Sequence, residues 1–307
     1  MAPSDPKTNR ELTFADVAPE NEYGLDQDAL AAATKEEPFV DAAFELLKDV
    51  VHDVTILGNA GRLAADGTRV PFSRDEAILG GLVVRTMKLL HGFLHGAANQ
   101  GEEIANYFLR GLAETSLNIR FLIRADSPEM FQAFVADSFR HDKRLLEVIE
   151  KNVQDRRGVV LPIEQRMRDS VDRTLRRSGL TLAEIPSNQT NTWPSFEARL
   201  AALDMGAAYA GVFGGPSSYV HGTWHELLFY NLTEVEGGFE LDPSWGSLRP
   251  EFVLALVLLI AEAIVDYIDY LFAEYVEAQY LRERLIRAKE KAERVTELHE
   301  EFLARTR

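Results

Sequence analysis

The stretch from residue 73 to residue 125 constrains the fold more than any other part of the chain. It reads "SRDEAILGGLVVRTMKLLHGFLHGAAN", then Gln100 and Gly101, then "EEIANYFLRGLAETSLNIRFLIRA". Apolar residues recur three and four positions apart throughout, which is the spacing of one helix face. Ser73 and Glu76 have the spacing of a capping box, so the first helix starts there and reaches about Ala98. Gly101 opens the second. A chain committed to two long consecutive helices has to bury their apolar faces against further helices, and the remaining sequence supplies them.

Pro38 sits at a first helical position before "FVDAAFELLKDVVHDV". Ser127 and Pro128 form an N-cap and first position, with an amphipathic segment running to about Asp155. A helix over about 162–178 stops at Gly179, residues 195–213 are helical, and Pro250 starts the longest helix, which continues to the C-terminus. Residues 58–72 and the stretch "LAEIPSNQTNTWPS" read as loops. Only "LTEVEGGFELD" alternates, around Gly237–Gly238, which predicts a small β-hairpin near 232–242. The expected fold is all-α: a multi-helix bundle with that hairpin and a long C-terminal helix. Its organisation is a flexible acidic arm over 1–26, a helical bundle over 27–280 and a helical extension over 281–307.

Of the 307 residues, 46% are apolar, enough for a sizeable core, and the net charge is −16. Strong binding to duplex DNA is therefore not expected, because neutralising phosphates needs clustered Lys and Arg. There is no cysteine, so any zinc would be held by His and carboxylate side chains. The apolar run 252–265 is too short to span a bilayer and is followed by Asp266 and Asp269, which marks a buried core helix. The start of the chain lacks the pattern of a secretory signal. A cytoplasmic protein without membrane association is expected, and no cofactor is called for.

A helical wheel separates the polar residues, since each residue turns it by about 100°. On the helix over 102–125, Ile104, Phe108, Leu112, Ile119, Leu122 and Ile123 make the main apolar face. Asn106, Arg120 and Arg124 mark a solvated one. Arg110, Glu114 and Asn118 fall in a second sector among Tyr107, Leu117 and Phe121, where Arg110 and Glu114 are one turn apart and can touch. A charged pair among aromatics is half-buried, either as a structural ion pair or as the wall of a pocket. On the preceding helix Arg85 shares a sector with Gly81, Gly92 and Gly96, a sector that lets another helix approach closely. Glu251, Glu262, Asp266 and Asp269 fall on one face, read as solvated.

"FGGPSSYVHGTWHE", residues 213–226, has three readings. His221 and His225 are one turn apart, as two metal ligands would be, but Gly222 stands where a zincin has Glu. Ser217 or Ser218 with His221 has no nucleophile elbow around it. The third reading, which the pattern favours, is a helix break: Pro216, Ser217 and Ser218 end one helix and cap the next, and His221 turns inward from its first turn. The C-terminal residues Leu281, Leu285, Ala288, Ala292, Val295, His299 and Phe302 alternate four and three apart. Such a seam packs on its own domain or joins a partner, and self-association or a protein partner through 281–307 is expected from it.

"RTMKLLH", Arg85 to His91, resembles the Arg–His signature of HEPN ribonucleases, in which the pair promotes attack by an RNA 2′-hydroxyl. The wheel places these two residues about 120° apart, which argues against that use. The segments 83–123 and "AAYAGVFGGPSSYVHG", 207–222, together resemble domain-of-unknown-function family 5677, with similarity over about 75–272. The matching positions are Arg85, Arg110, Glu114, Tyr209, Ser217 or Ser218, and His221. The resemblance implies a bacterial helical protein and carries no chemistry with it; a link to antiviral defence rests on analogy with HEPN-like folds. The expected site is an internal polar pocket: His221, Arg110, Glu114 and Arg85 as reactive groups, and Tyr209, Ser217, Ser218 and Asn118 as ligand contacts. A nucleotide or RNA is its expected ligand. The alternative is a non-enzymatic scaffold whose polar cluster is structural.

Overall fold

The computed structural model describes residues 14–18, 21–64, 66–186, 192–205, 223–246 and 248–306. The described residues are overwhelmingly helical, with two small two-stranded antiparallel sheets. The chain divides into two units, one of residues 1–120 and 207–307 and the other of residues 121–206.

The first unit opens with two short helices, α1 (Phe14–Val17) and α2 (Gln27–Ala31), and is built around α3 (Glu37–Asn59), α4 (Arg74–Ala125, of which residues 74–120 lie here), α10 (Pro250–Leu271) and α11 (Val276–Thr306). Helix α4 is two limbs about Gly101, whose φ of 71° and ψ of −171° are non-helical and suit a residue without Cβ. A Cβ on Gly92 would fall 2.4 Å from the Phe108 ring, one on Gly96 would meet the Ala105 backbone nitrogen at 3.4 Å, and one on Gly111 would meet Leu89 at 3.3 Å. The paired numbers sum to about the same value, so the limbs run antiparallel and the glycine sector is their seam. The expected capping box is present: the Ser73 amide donates to Glu76 Oε2 at 2.7 Å, and the Glu76 amide to Ser73 Oγ at 3.4 Å. Arg62 also donates to both oxygens of Glu76. That ion pair, with the Ser73 amide, holds the carboxyl down at about 2.

Helices α3, α10 and α11 pack on one another through Phe39, Leu46, Leu47, Val50, Val253, Val257, Ile260, Ile264, Leu285 and Val295, all fully buried. The predicted single C-terminal helix is two. It breaks at Phe272–Tyr275, where Phe272 packs against Tyr267 at 5.6 Å, Tyr275 at 5.7 Å and Phe72 at 6.3 Å. Neither glycine nor proline marks the turn; a cluster of rings makes it. Helix α11 then returns along α10, with Arg282 on Asp269 at 2.6 Å and Lys289 on Glu262 at 2.7 Å.

This reversal decides the fate of the C-terminal seam. Leu281, Leu285, Ala288, Ala292, Val295, His299 and Phe302 are all buried within the chain. Residues 281–307 are thus part of the first unit rather than an extension from it. The acidic stripe of α10 is solvated only at its ends: Glu251 and Asp269 are exposed, whereas Glu262 and Asp266 both accept from Arg120.

The arm is docked at its C-terminal end. Glu22 accepts from Arg287 and Lys291, and the Tyr23 amide donates to Asp49 at 2.8 Å. Beneath lies a buried pair, Arg284 Nε donating to Asp53 at 3.0 and 3.2 Å, with both residues at most 2% exposed. Burial pushes the Asp53 carboxyl up to about 7 against the pull of Arg284. A short ladder, β1 (Arg62–Leu63) with β2 (Arg69–Val70), occupies the expected 58–72 loop. The predicted hairpin is present as β3 (Leu232–Val235) and β4 (Gly238–Leu241), with Val235 opposite Gly238. Among the described residues one segment, Arg74–Ala98, is long and apolar enough to cross a membrane by length and composition, and 33% of its window is buried.

The second unit contains α5 (Pro128–Ser138), α6 (Arg140–Asp155), α7 (Pro162–Ser178) and α8 (Phe196–Ala202). Ser127 caps α5 by accepting from the Met130 amide, and Gly179 ends α7 in the left-handed region at φ 67°. The expected segment to Asp155 is interrupted at Phe139, and α8 ends at Ala202; residues 206–213 of the helix expected over 195–213 lie outside the described residues. Trp193 packs edge-on against Phe121 at 5.4 Å and Phe134 at 5.2 Å, and the buried Arg199 guanidinium lies 5.0 Å over its ring.

Candidate functional site

The limb over 102–120 carries the candidate site. Glu103, Tyr107, Arg110, Glu114 and Asn118 follow one another at steps of four, three, four and four, so they form a single stripe along it. Arg110 and Glu114 are half-buried, as a charged pair among aromatics should be, and Asn118 is 9% exposed. Asn106, expected on a solvated face, is instead fully buried, and its amide donates to the Tyr230 hydroxyl at 3.4 Å. Arg120 is likewise no solvent marker, since it is half-buried between Glu262 and Asp266. Both corrections have one cause. The wheel shows which residues share a face but not which faces a neighbouring element covers.

The covering element is α9 (Trp224–Tyr230). Thr223 caps it, and Asn231 at its end donates to Glu103 at 3.5 Å. Glu226 on α9 is 3% exposed. Burial, and then the charges of Glu226 and Glu103, push the Tyr107 hydroxyl up from its ordinary value. The Glu226 carboxylate therefore lies close to the stripe. Sequence reasoning assigned it no role, although it is the last residue of "FGGPSSYVHGTWHE" and stands at the capping-box position after Thr223.

Arg85 approaches the same limb from the other side of the seam. Its Nε donates to Thr115 Oγ1 at 3.1 Å, and its guanidinium lies next to Gly111. His91, the other half of the ribonuclease-like pattern, is turned away, with Nε2 3.1 Å from Thr55 Oγ1 on α3. The two side chains leave the same helix in different directions, Arg85 towards the second limb and His91 towards α3, as the wheel predicts. Arg294 and His299 separate in the same way, towards Gln27 and Glu36. His225 is exposed and stacks on Phe229 at a centroid distance of 6.5 Å. Tyr209, Ser217, Ser218 and His221 lie outside the described residues.

Arg110, Glu114 and Asn118 thus lie along one limb, with Tyr107 and Glu226 at its α9 end, and Arg85 is bonded to Thr115 of the same limb. Guanidinium groups, a carboxamide and a phenol supply donors for anionic or polar ligand atoms, and the carboxylates supply acceptors. The family of unknown function DUF5677 matches residues 76–239, more than half of the chain, and the chain belongs to that family. Neither a curated protein nor a solved structure matches it. The matched region contains the whole stripe, the glycine seam and α9.

Proposed function

We propose that the protein binds a small phosphate-bearing ligand, a nucleotide or an RNA end, at the polar stripe of the 102–120 limb. The observation that carries this reading is the half-buried Arg110 between the Tyr107–Glu226 end and Glu114, with Arg85 on the adjoining flank. Arginine suits such a ligand because its planar fork matches phosphate oxygens two at a time. A ligand of limited size fits better than a long nucleic acid, given a net charge of −16. His221, Tyr209, Ser217 and Ser218 belong to this proposal as further contacts on the strength of the family resemblance alone, since they lie outside the described residues. A role in bacterial cytoplasmic defence rests on analogy with HEPN-like helical proteins, without their Arg–His chemistry, since Arg85 and His91 have separate partners.

A second reading has its own support. The Arg85–Thr115 and Asn106–Tyr230 contacts tie one helix to another and would serve a scaffold equally well. Association through 281–307 would in that case use the outer face of α11, since the inner seam is buried in the chain. Calorimetric titration with ATP, GTP and a short 5′-phosphorylated RNA separates the two readings. Binding by the natural chain, weakened at least tenfold in Arg110→Gln while the melting temperature holds, supports the site. If none of the three ligands binds, the cluster is a structural network.

A further inference from the structure

A second cluster of ligating side chains lies away from the polar stripe. Glu36, Glu251 and His299 each offer one ligand atom, and those atoms lie within 4.8 Å of one another. His299 Nε2 is 2.9 Å from Glu36 Oε1. The imidazole is 3% exposed and set between Phe39, at 5.1 Å, and Phe302, at 6.1 Å, so its direction is fixed by packing. Both glutamates are exposed and can adjust.

We propose that these three residues bind a divalent transition-metal ion of the zinc class. Zinc accepts His nitrogen and carboxylate oxygen at about 2.0–2.2 Å, which puts neighbouring ligand atoms of a tetrahedral site roughly 3.3–3.5 Å apart. The observed spread brackets that value, and movement of the two exposed carboxylates alone closes it. A chain without cysteine has only such ligands to offer. One nitrogen and two oxygens favour zinc over calcium or magnesium, which prefer all-oxygen shells. Two carboxylates brought this close repel each other, and a dication between them removes that repulsion. The opposing effect is the helix ends. Glu36 is the N-cap of α3 and Glu251 lies in the first turn of α10, where partial positive charge disfavours a cation. Two full negative charges on the ligands outweigh two partial positive ones. His299 stands near the end of α11, so the ion would join three helices of the first unit at one point. The fourth position would be left to water.

Equilibrium titration of the full chain with Zn²⁺ tests the site. One saturable site is expected whose affinity falls at least tenfold in Glu251→Gln and in Glu36→Gln, together with a zinc-dependent rise in melting temperature that both variants lose. His299→Ala should abolish both effects, and the exposed glutamate variants keep the test valid if that variant fails to fold. Binding should weaken as pH falls, because protons compete for the ligands. Zinc binding that Glu251→Gln and Glu36→Gln leave unchanged would overturn the proposal, as would no saturable binding; the first result would place the ion at other histidines.

Discussion

The two units differ in how they handle charge. The second unit, residues 121–206, contains thirteen basic and thirteen acidic residues, so the whole net charge of −16 falls on the first. Yet the first unit holds the more deeply buried charges. Asp53 and Arg284 are 1% and 2% exposed, and Glu226 is 3% exposed. In the second unit, α6 and α7 carry charge on about half of their exposed positions and bury only Ile149, Val153, Glu164, Val171 and Leu175 between them. A net acidic unit tolerates its charge by drawing cations inward: Arg120, Arg284, Arg287, Lys289 and Lys291 each sit on carboxylates that would otherwise repel. The balanced unit buries charge at Glu164 and Arg199 but leaves pairs such as Arg168–Glu150 at the surface, where each contributes little. Charge composition therefore says how strongly a unit must be cross-linked by ions, and burial says where.

That contrast can be tested at its strongest point first. Asp53→Ala strands Arg284 in a dry environment, and a stability loss of about 3–5 kcal/mol is expected on urea unfolding of the first unit. A loss below about 1 kcal/mol would mean that water or the neighbouring Asp49 and Glu22 already serve Arg284, and the contrast with the second unit would collapse.

In the second unit the equivalent weak point is apolar. Trp193→Ala removes the ring that Phe121, Phe134 and Arg199 pack on, with an expected cost of about 3 kcal/mol, at the low end for a buried tryptophan. The other two tryptophans, Trp224 and Trp245, belong to the first unit, so a chain retaining Trp193 alone reports the second unit by fluorescence. If that signal and helical circular dichroism unfold at different urea concentrations, the units are energetically separate. Coincident curves would make them one cooperative body.

The smallest expected effect is an acid dependence. Glu76 is held at about 2, below its ordinary 4.5, by Arg62 and the Ser73 amide. Between those values the unfolded chain binds the extra proton, so the stability this residue contributes is present above about 4.5 and is lost as pH falls towards 2. Glu76→Gln should flatten that part of the urea midpoint against pH curve relative to the natural chain. Parallel curves would show that the ion pair is screened and carries no linkage.

Much of the architecture was legible in the sequence because it depends on local periodicity and caps. The Ser73–Glu76 box, the Ser127 cap, the Gly101 break, the Gly179 stop and the 232–242 hairpin are all decided by residues within a few positions of one another. The glycine seam was legible too, since Gly92 and Gly96 share a face whatever packs there. That Arg110 and Glu114 share one half-buried sector follows from the same geometry. Which faces are covered is a different matter, and only the tertiary structure decided it. The wheel placed Asn106 and Arg120 in solvent. Helix α9 buries the first, and the carboxylates of α10 capture the second, from 124 and 142–146 residues away in the chain. The chain reversal at Phe272–Tyr275 has no helix breaker to announce it, since it is made by rings from distant segments. That reversal turned a seam suited to a partner into an internal one, and it carried His299 to Glu36 and Glu251. A sequence fixes the period of each helix because period is a property of neighbours along the backbone. Burial and ion pairing are properties of neighbours in space, and those exist only once the helices have packed.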